Sequence, residues 1–200
     1  MNIIVHLMFA VTVRNRVKDT QGVALNLPGF LFGNILPDIS KKYGKHPHFM
    51  KDALTHVVNA KDSLLKQNSH VPLSPYQFAK ELGALNHYLS DFFCFPHNEG
   101  YNGSKAHHGV YELLMIARYR KGLRAFRTLL KDQDARLESG DLKAFIINHN
   151  NTYKDKKASK INDIRYALFT GTKLSESILA HISALSGVTP TPLLSASYIA

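Results

Sequence analysis

Between residues 82 and 112 the chain reads LGALNHYLSDFFCFPHNEGYNGSKAHHGVYE, which puts His87, Asp91, His97, His108 and Glu112 into two helical turns and one intervening loop. Imidazole nitrogens and carboxylate oxygens at this density are donors for a hard or borderline metal ion, and they read as a zinc site. A His and a carboxylate four residues apart leave a helix in the same direction and can converge on one ion. Three such pairs occur: His48 with Asp52, His87 with Asp91, and His108 with Glu112. Composition alone supplies roughly one such pair, so no single match carries the reading. Cys94 sits among Phe92, Phe93 and Phe95 with no neighbouring base, which makes it a buried thiol rather than a nucleophile.

The elements that must position these groups are helices. Ser74, Pro75 and Gln77 form a start signal: a hydroxyl cap, a proline at the first helical position and a glutamine that completes a capping box. The helix they open should run to about Phe93, with Ala79, Gly83, His87 and Asp91 at four-residue spacing. Small residues thus lead up to the two polar ones, so another helix can come close. Pro96 prevents simple continuation, and Ser104 can cap a helix to about Lys131 that carries His108 and Glu112 near its start. Upstream, LNLPGFLFGNILPDIS predicts a short apolar helix entered at Pro28 and ended by Pro37, which leaves Asp38 on a helix exit. A further helix should begin near Pro47, with Met50, Leu54, Val57, Val58, Leu64 and Leu65 as its apolar side. The opening MNIIVHLMFAVTVRNRV reads as an amphipathic helix bearing His6, followed by a turn at 18–22. Downstream, Gly140 and Asp141 restart a helix to about Tyr153. Ser159 caps a last long helix, and Gly187 suits its C-terminal cap. Strand signals are scarce. The fold expected is an all-α, single-domain helical bundle over residues 1–187 with an irregular tail at 188–200.

With 200 residues, 44% of them hydrophobic, the chain can bury one substantial core. A formal charge of +10 favours phosphate-bearing partners: nucleic acid, an anionic membrane surface touched peripherally, or a soluble phosphate ester. Arg118, Arg120, Lys121, Arg124 and Arg127 form the main cationic run. A single cysteine excludes an intramolecular disulfide and suits a reducing compartment. The first segment lacks a cationic start and a small-residue cleavage site, so it reads as retained and the protein as cytoplasmic. No apolar run reaches the roughly 18 to 20 residues of a transmembrane helix.

Order and spacing together carry a resemblance. The run Asp38, His48, His87, Asp91, His97, His108, Glu112, with HYLSDFFCFPH and HGVYE at its centre, resembles the zinc-dependent phospholipase C family of all-helical phosphodiesterases. The family's fold is shared by zinc nucleases that cut single strands. GNILPDIS and HPHF resemble the family's Asp-bearing and His-bearing segments, and IIVHLMFAV its first helix. The resemblance implies that Asp38, His48, His87 and Asp91 hold one zinc ion and that His97, His108 and Glu112 hold a second. It also implies a third at Met1, His6 and Asp91, where the family has an N-terminal tryptophan and this chain has none. Two or three zinc ions are therefore expected. His48 competes with His56 two turns later, and His107 with His108. The implied chemistry is in-line attack of metal-bound hydroxide on a phosphodiester, with Asp38 accepting a proton. Phospholipid, nucleotide and nucleic acid all remain open as substrates. Two other classes fit the same residues: a non-catalytic, zinc-stabilised helical protein, and a basic nucleic-acid-binding protein or nuclease.

Overall fold

The structure is a computed structural model that describes residues 1–132 and 141–185. Among these residues it holds seven α-helices, one 3-10 turn and no strand. Helix α1 (Ile3–Gln21) starts on the Asn2 side chain, which accepts from Val5 N–H, and ends at Gly22 in the left-handed conformation. Helix α2 (Leu27–Ile39) is capped by Asn26, and α3 (Met50–His70) follows a short loop. Helix α4 (Pro75–Phe92) opens on a capping box between Ser74 and Gln77, with both hydrogen bonds present. The 3-10 turn (Phe95–His97) leads to α5 (Lys105–Asp132), whose first turn is tied by His107 N–H to Ser104 Oγ. Helices α6 (Leu142–Lys154) and α7 (Lys160–Leu185) complete the bundle. Gly140, the Gly187 cap and the tail at 188–200 lie outside the described residues.

Three local expectations are corrected. Pro37 does not end α2, because it forfeits only one backbone rung in a final turn that Ser40 N–H to Leu36 O still closes at 2.9 Å. Asp38 therefore lies inside the last turn of α2 rather than beyond it. Helix α3 begins at Met50, after the Pro47 segment, without a side-chain cap. The opening half of α1 is apolar on its outer side as well, with Ile3, Ile4 and Val11 exposed opposite buried Val5, Phe9, Ala10 and Val13. Only its second half, with exposed Asn15, Arg16 and Lys18, is amphipathic.

Helix α4 is the axis of the bundle, buried on all sides from Leu82 through Phe92. A helix surrounded by protein is ordinarily apolar all round. Here Asn86, His87, Ser90 and Asp91 are also fully or almost fully buried, and each needs a partner. Asn86 finds one by donating to Ser175 Oγ on α7 at 3.0 Å. The others form the site described below.

Helix α2 reaches α4 through small residues. A Cβ on Gly33 would fall 2.1 Å from Lys80 O and 2.9 Å from Gly83 Cα, and one on Gly83 would fall 2.6 Å from Phe30 O. These are backbone contacts, which cannot rotate away. The close crossing sets the distance between Asp38 on one helix and His87 on the other. Gly33→Ala should lower stability by about 1–3 kcal/mol or more, because the two helices must separate. Gly109→Ala, with nothing within 4 Å of the added Cβ, should instead raise it by about 0.5–1 kcal/mol. Urea denaturation of the two variants checks the contrast, and equal effects would contradict the packing.

Candidate metal centre

Asp91 is fully buried, and its two carboxylate oxygens face two sets of groups. Oδ2 lies 2.9 Å from His48 Nδ1 and 3.3 Å from His87 Nε2. Asp38 Oδ1 closes that side at 3.7 Å from His48 Nδ1 and 3.6 Å from His87 Nε2. Oδ1 is ion-paired with the Met1 α-amine and lies 3.5 Å from His6 Nε2 and 3.9 Å from His97 Nε2. The Met1 amine is in turn 3.4 Å from Glu112 Oε1. Glu112 Oε1 meets His97 Nε2 at 3.3 Å and His108 Nε2 at 2.6 Å. Thus α1, α2, the loop before α3, α4, the 3-10 turn and α5 each send side chains to one place.

Hydrogen bonds on the far side of the rings fix which nitrogens face inward. His87 Nδ1 lies 2.8 Å from the Asn34 carbonyl. A carbonyl can only accept, so Nδ1 carries the proton and Nε2 presents a lone pair. Ser90 Oγ donates its single proton to His87 O at 2.8 Å and lies 3.1 Å from His6 Nδ1. It can then only accept from His6, which leaves His6 Nε2 as a lone pair too. His6 Nε2 and Asp91 Oδ2 are both buried with no well-aligned hydrogen-bond partner. Two orphaned acceptors in one dry pocket are poorly tolerated unless a cation sits between such groups, and imidazoles oriented from behind by a carbonyl or hydroxyl are the usual arrangement behind a metal. The residues present therefore fit a zinc ion or ions.

The electrostatics divide the cluster into groups already in a ligating form and groups that hold a proton. Burial lowers His87 to about 4 against the opposing pull of Asp91. Burial, with His87 and the Met1 amine adding to it, holds His6 well below the usual imidazole range. Burial would raise Asp91, but the Met1 ammonium, His97 and His6 hold it well below the usual carboxylate range. Glu112 is likewise pulled down to about 2, burial being outweighed by His97, the Met1 ammonium and His108. Burial opposes charge on the Met1 amine, yet Asp91 and its neighbours raise it to about 11. His48 loses from burial and gains more from Asp91, so it is raised. Neutral His6 and His87 beside ionised Asp91 and Glu112 are in the protonation states that metal binding requires, whereas the Met1 amine and His48 must give up a proton to ligate.

All eight residues singled out from the sequence, His6, Asp38, His48, His87, Asp91, His97, His108 and Glu112, converge here. Asp52, the helical partner expected for His48, stays exposed on α3. His56 stacks on His46 at 4.2 Å, away from the cluster. His107 bonds to Tyr101 Oη at 3.1 Å. Cys94 is fully buried, and its sulfur shares a cluster with the ligand atoms of His97 and Glu112, all within 4.8 Å of one another.

Sequence reasoning missed the supports. Asp163, fully buried on α7, accepts from Phe95 N–H at 3.1 Å, Tyr111 Oη at 2.8 Å and Tyr153 Oη at 2.9 Å. It thereby ties the turn carrying His97 to the helix position beside Glu112. As an acid in the first turn of a helix, it has an ordinary local reading, and its partners lie 52 and 68 residues away along the chain for Tyr111 and Phe95. Burial raises Asp163 to about 6, even against the donors from Phe95, Tyr111 and Tyr153. Between 3.8 and about 6 the folded chain therefore binds more protons at this position than the unfolded one, and wild-type stability falls as pH rises through that window. Asp163→Asn lacks that loss, so denaturation at about pH 4 and about pH 7 should show wild type weakening relative to the variant. A difference that stays constant would refute the buried acid. Asp163→Ala, which strands three donors, should cost about 3 kcal/mol.

No curated protein and no solved structure matches the chain. The family model for zinc-dependent phospholipase C matches residues 5–160, a span that contains all eight converging residues and stops just short of Asp163. With well over half its length covered, and an all-helical architecture among the described residues, this chain belongs to the zinc-dependent phospholipase C family.

Proposed function

We propose that the protein is a zinc-dependent hydrolase of phosphate esters, acting on a phosphodiester by in-line displacement. The observation that carries this reading is the buried His6 Nε2, which has no hydrogen-bond partner and lies 3.5 Å from Asp91 Oδ1, beside a buried carboxylate whose two oxygens serve both halves of the cluster. In this reading Asp38, His48, His87 and Asp91 hold one zinc ion and His97, His108 and Glu112 another. Met1, His6 and Asp91 hold a third. Zinc bound there supplies Lewis acidity, bringing the pKa of water to about 7 and offsetting charge on the phosphate.

The protein's own groups supply the geometry. The Asn34 carbonyl and Ser90 hydroxyl hold His87 and His6 in the tautomers that present Nε2. Asp91, ionised and immobile in the core of the bundle, sets the spacing between the two sides. Asp38 stands nearer the opening, where it can take a proton from an attacking water.

One feature favours catalysis over a purely structural metal. A structural zinc site closes every coordination position with protein, whereas the side chains of Asp38 and His108 are 24% and 32% exposed. Water and substrate can thus reach the cluster from that side.

The direct test measures metal content per chain together with hydrolysis of chromogenic phosphodiester and phosphomonoester substrates, before and after chelation. Activity should disappear on chelation and return with added zinc. Metal present without activity in either state would overturn the reading in favour of a structural role. Ser90→Ala removes the acceptor that orients His6, and it should weaken zinc binding about 10-fold in competition with a chromophoric chelator. An unchanged affinity would refute the role given to Ser90.

A further inference from the structure

One donor stands at the cluster without a part in it. Cys94 is fully buried, and its sulfur and the ligand atoms of His97 and Glu112 all lie within 4.8 Å of one another. A free cysteine is often no more than a small apolar residue in a core, and the fully buried neighbours Phe92 and Phe93 fit that reading. The sulfur nevertheless lies beside an imidazole and a carboxylate that the site already uses.

Local structure puts it there. The stretch CFPH at 94–97 has two residues between Cys and His, a short spacing by which one turn offers two ligands to one ion. Cys94 stands at the N-cap of the 3-10 turn that ends in His97, and residues three apart in such a turn eclipse each other. Its backbone is held on both sides. The N–H donates to Asp91 O at 3.0 Å, and the carbonyl accepts from His97 N–H at 2.8 Å and from Asn98 Nδ2 at 2.7 Å. The thiol is therefore tied to the same short run of backbone as Asp91 and His97. A separate observation calls for a cation at this place. His6 Nε2, fully buried and without a hydrogen-bond partner, lies 3.5 Å from Asp91 Oδ1, and His97 Nε2 is 3.9 Å from that same oxygen.

We propose that Cys94 is a further protein ligand, through its thiolate, to the zinc ion held by His97, His108 and Glu112. This inference rests on the reading of the cluster as a metal centre, and it adds a sulfur donor that is fully buried where His108 is 32% exposed. In the chain alone burial keeps the thiol protonated, against the opposing Met1 ammonium. A bound cation takes the place of that proton, which leaves to water, because a coordinating thiol is deprotonated outright. No neighbouring base is needed for this, so the feature that excludes Cys94 as a nucleophile leaves it free to act as a ligand. Thiolate is also the softest donor of the set, and it shifts the preference of the ion's site toward softer metals.

The test strips the full chain of metal, reloads it with cobalt(II) and records the absorption spectrum. Wild type should show a sulfur-to-cobalt charge-transfer band in the near ultraviolet, beside the visible bands of cobalt held by nitrogen and oxygen. Cys94 is the only cysteine in the sequence, so a thiolate band has one source. Cys94→Ser and Cys94→Ala should lose the near-ultraviolet band and keep visible bands, which shows that the cluster still folds and takes up metal. In competition, Cys94→Ser should also lower the preference for cadmium over zinc about 10-fold. Visible bands without the near-ultraviolet band in wild type, or a near-ultraviolet band that survives in either variant, overturns the proposal and leaves the hydrolase reading standing. No cobalt spectrum at all in wild type overturns the metal centre itself.

Discussion

A carboxylate in the middle of a helical bundle is the constraint to which the rest of the structure answers. Removing an ionised group from water costs several kcal/mol unless partners replace the lost hydration. Asp91 is fully buried, so the chain must deliver positive charge or hydrogen-bond donors to both of its oxygens. It delivers the Met1 ammonium to one oxygen and His48 to the other, while His6 and His87 stay neutral and point lone pairs inward. That arrangement is electrostatically incomplete as protein alone. It becomes complete with cations, which explains why the polar side of α4 can occupy the most buried part of the fold.

Two devices hold the surrounding groups in place. One is the glycine contact between α2 and α4, where Gly33 and Gly83 let backbones touch and thereby set Asp38 against His87. The other is Asp163, which clamps the 3-10 turn, α5 and α6 from the opposite helix. The first device acts through the absence of side chains, and the second through one buried acid. Both lie outside the cluster, and each governs one half of it.

These two devices also mark the limit of what the sequence discloses. Residues whose chemistry is local were readable: the i, i+4 pairs His87–Asp91 and His108–Glu112, the capping box at Ser74 and Gln77, and the small residues leading up to His87. Their periodicity shows in a window of a dozen residues. Asp163, Ser90 and the Asn34 carbonyl were not readable, because their partners are set by tertiary packing and their residue types are common at helix starts and in helix interiors. Pro37 misled for a related reason. The rule that proline stops a helix describes helix interiors, and its force is weak in a last turn that has few remaining rungs to lose. The first helix departs in the other direction, since a segment that reads as amphipathic keeps apolar Ile3, Ile4 and Val11 on its exposed side.

The bond between Met1 and Asp91 spans 90 residues. An element this far from its partner gains nothing from it until the intervening chain has collapsed, and closing so long a loop sacrifices chain entropy before any contact rewards it. Helix α1 packs against its sequence neighbour α2, with Arg14 Nε donating to Leu25 O at 2.7 Å, but its tip meets α4 only across that long loop. The half of the cluster built on Met1 and His6 thus depends on that closure, while the half built on His87 and Asp91 lies within one turn of a single helix.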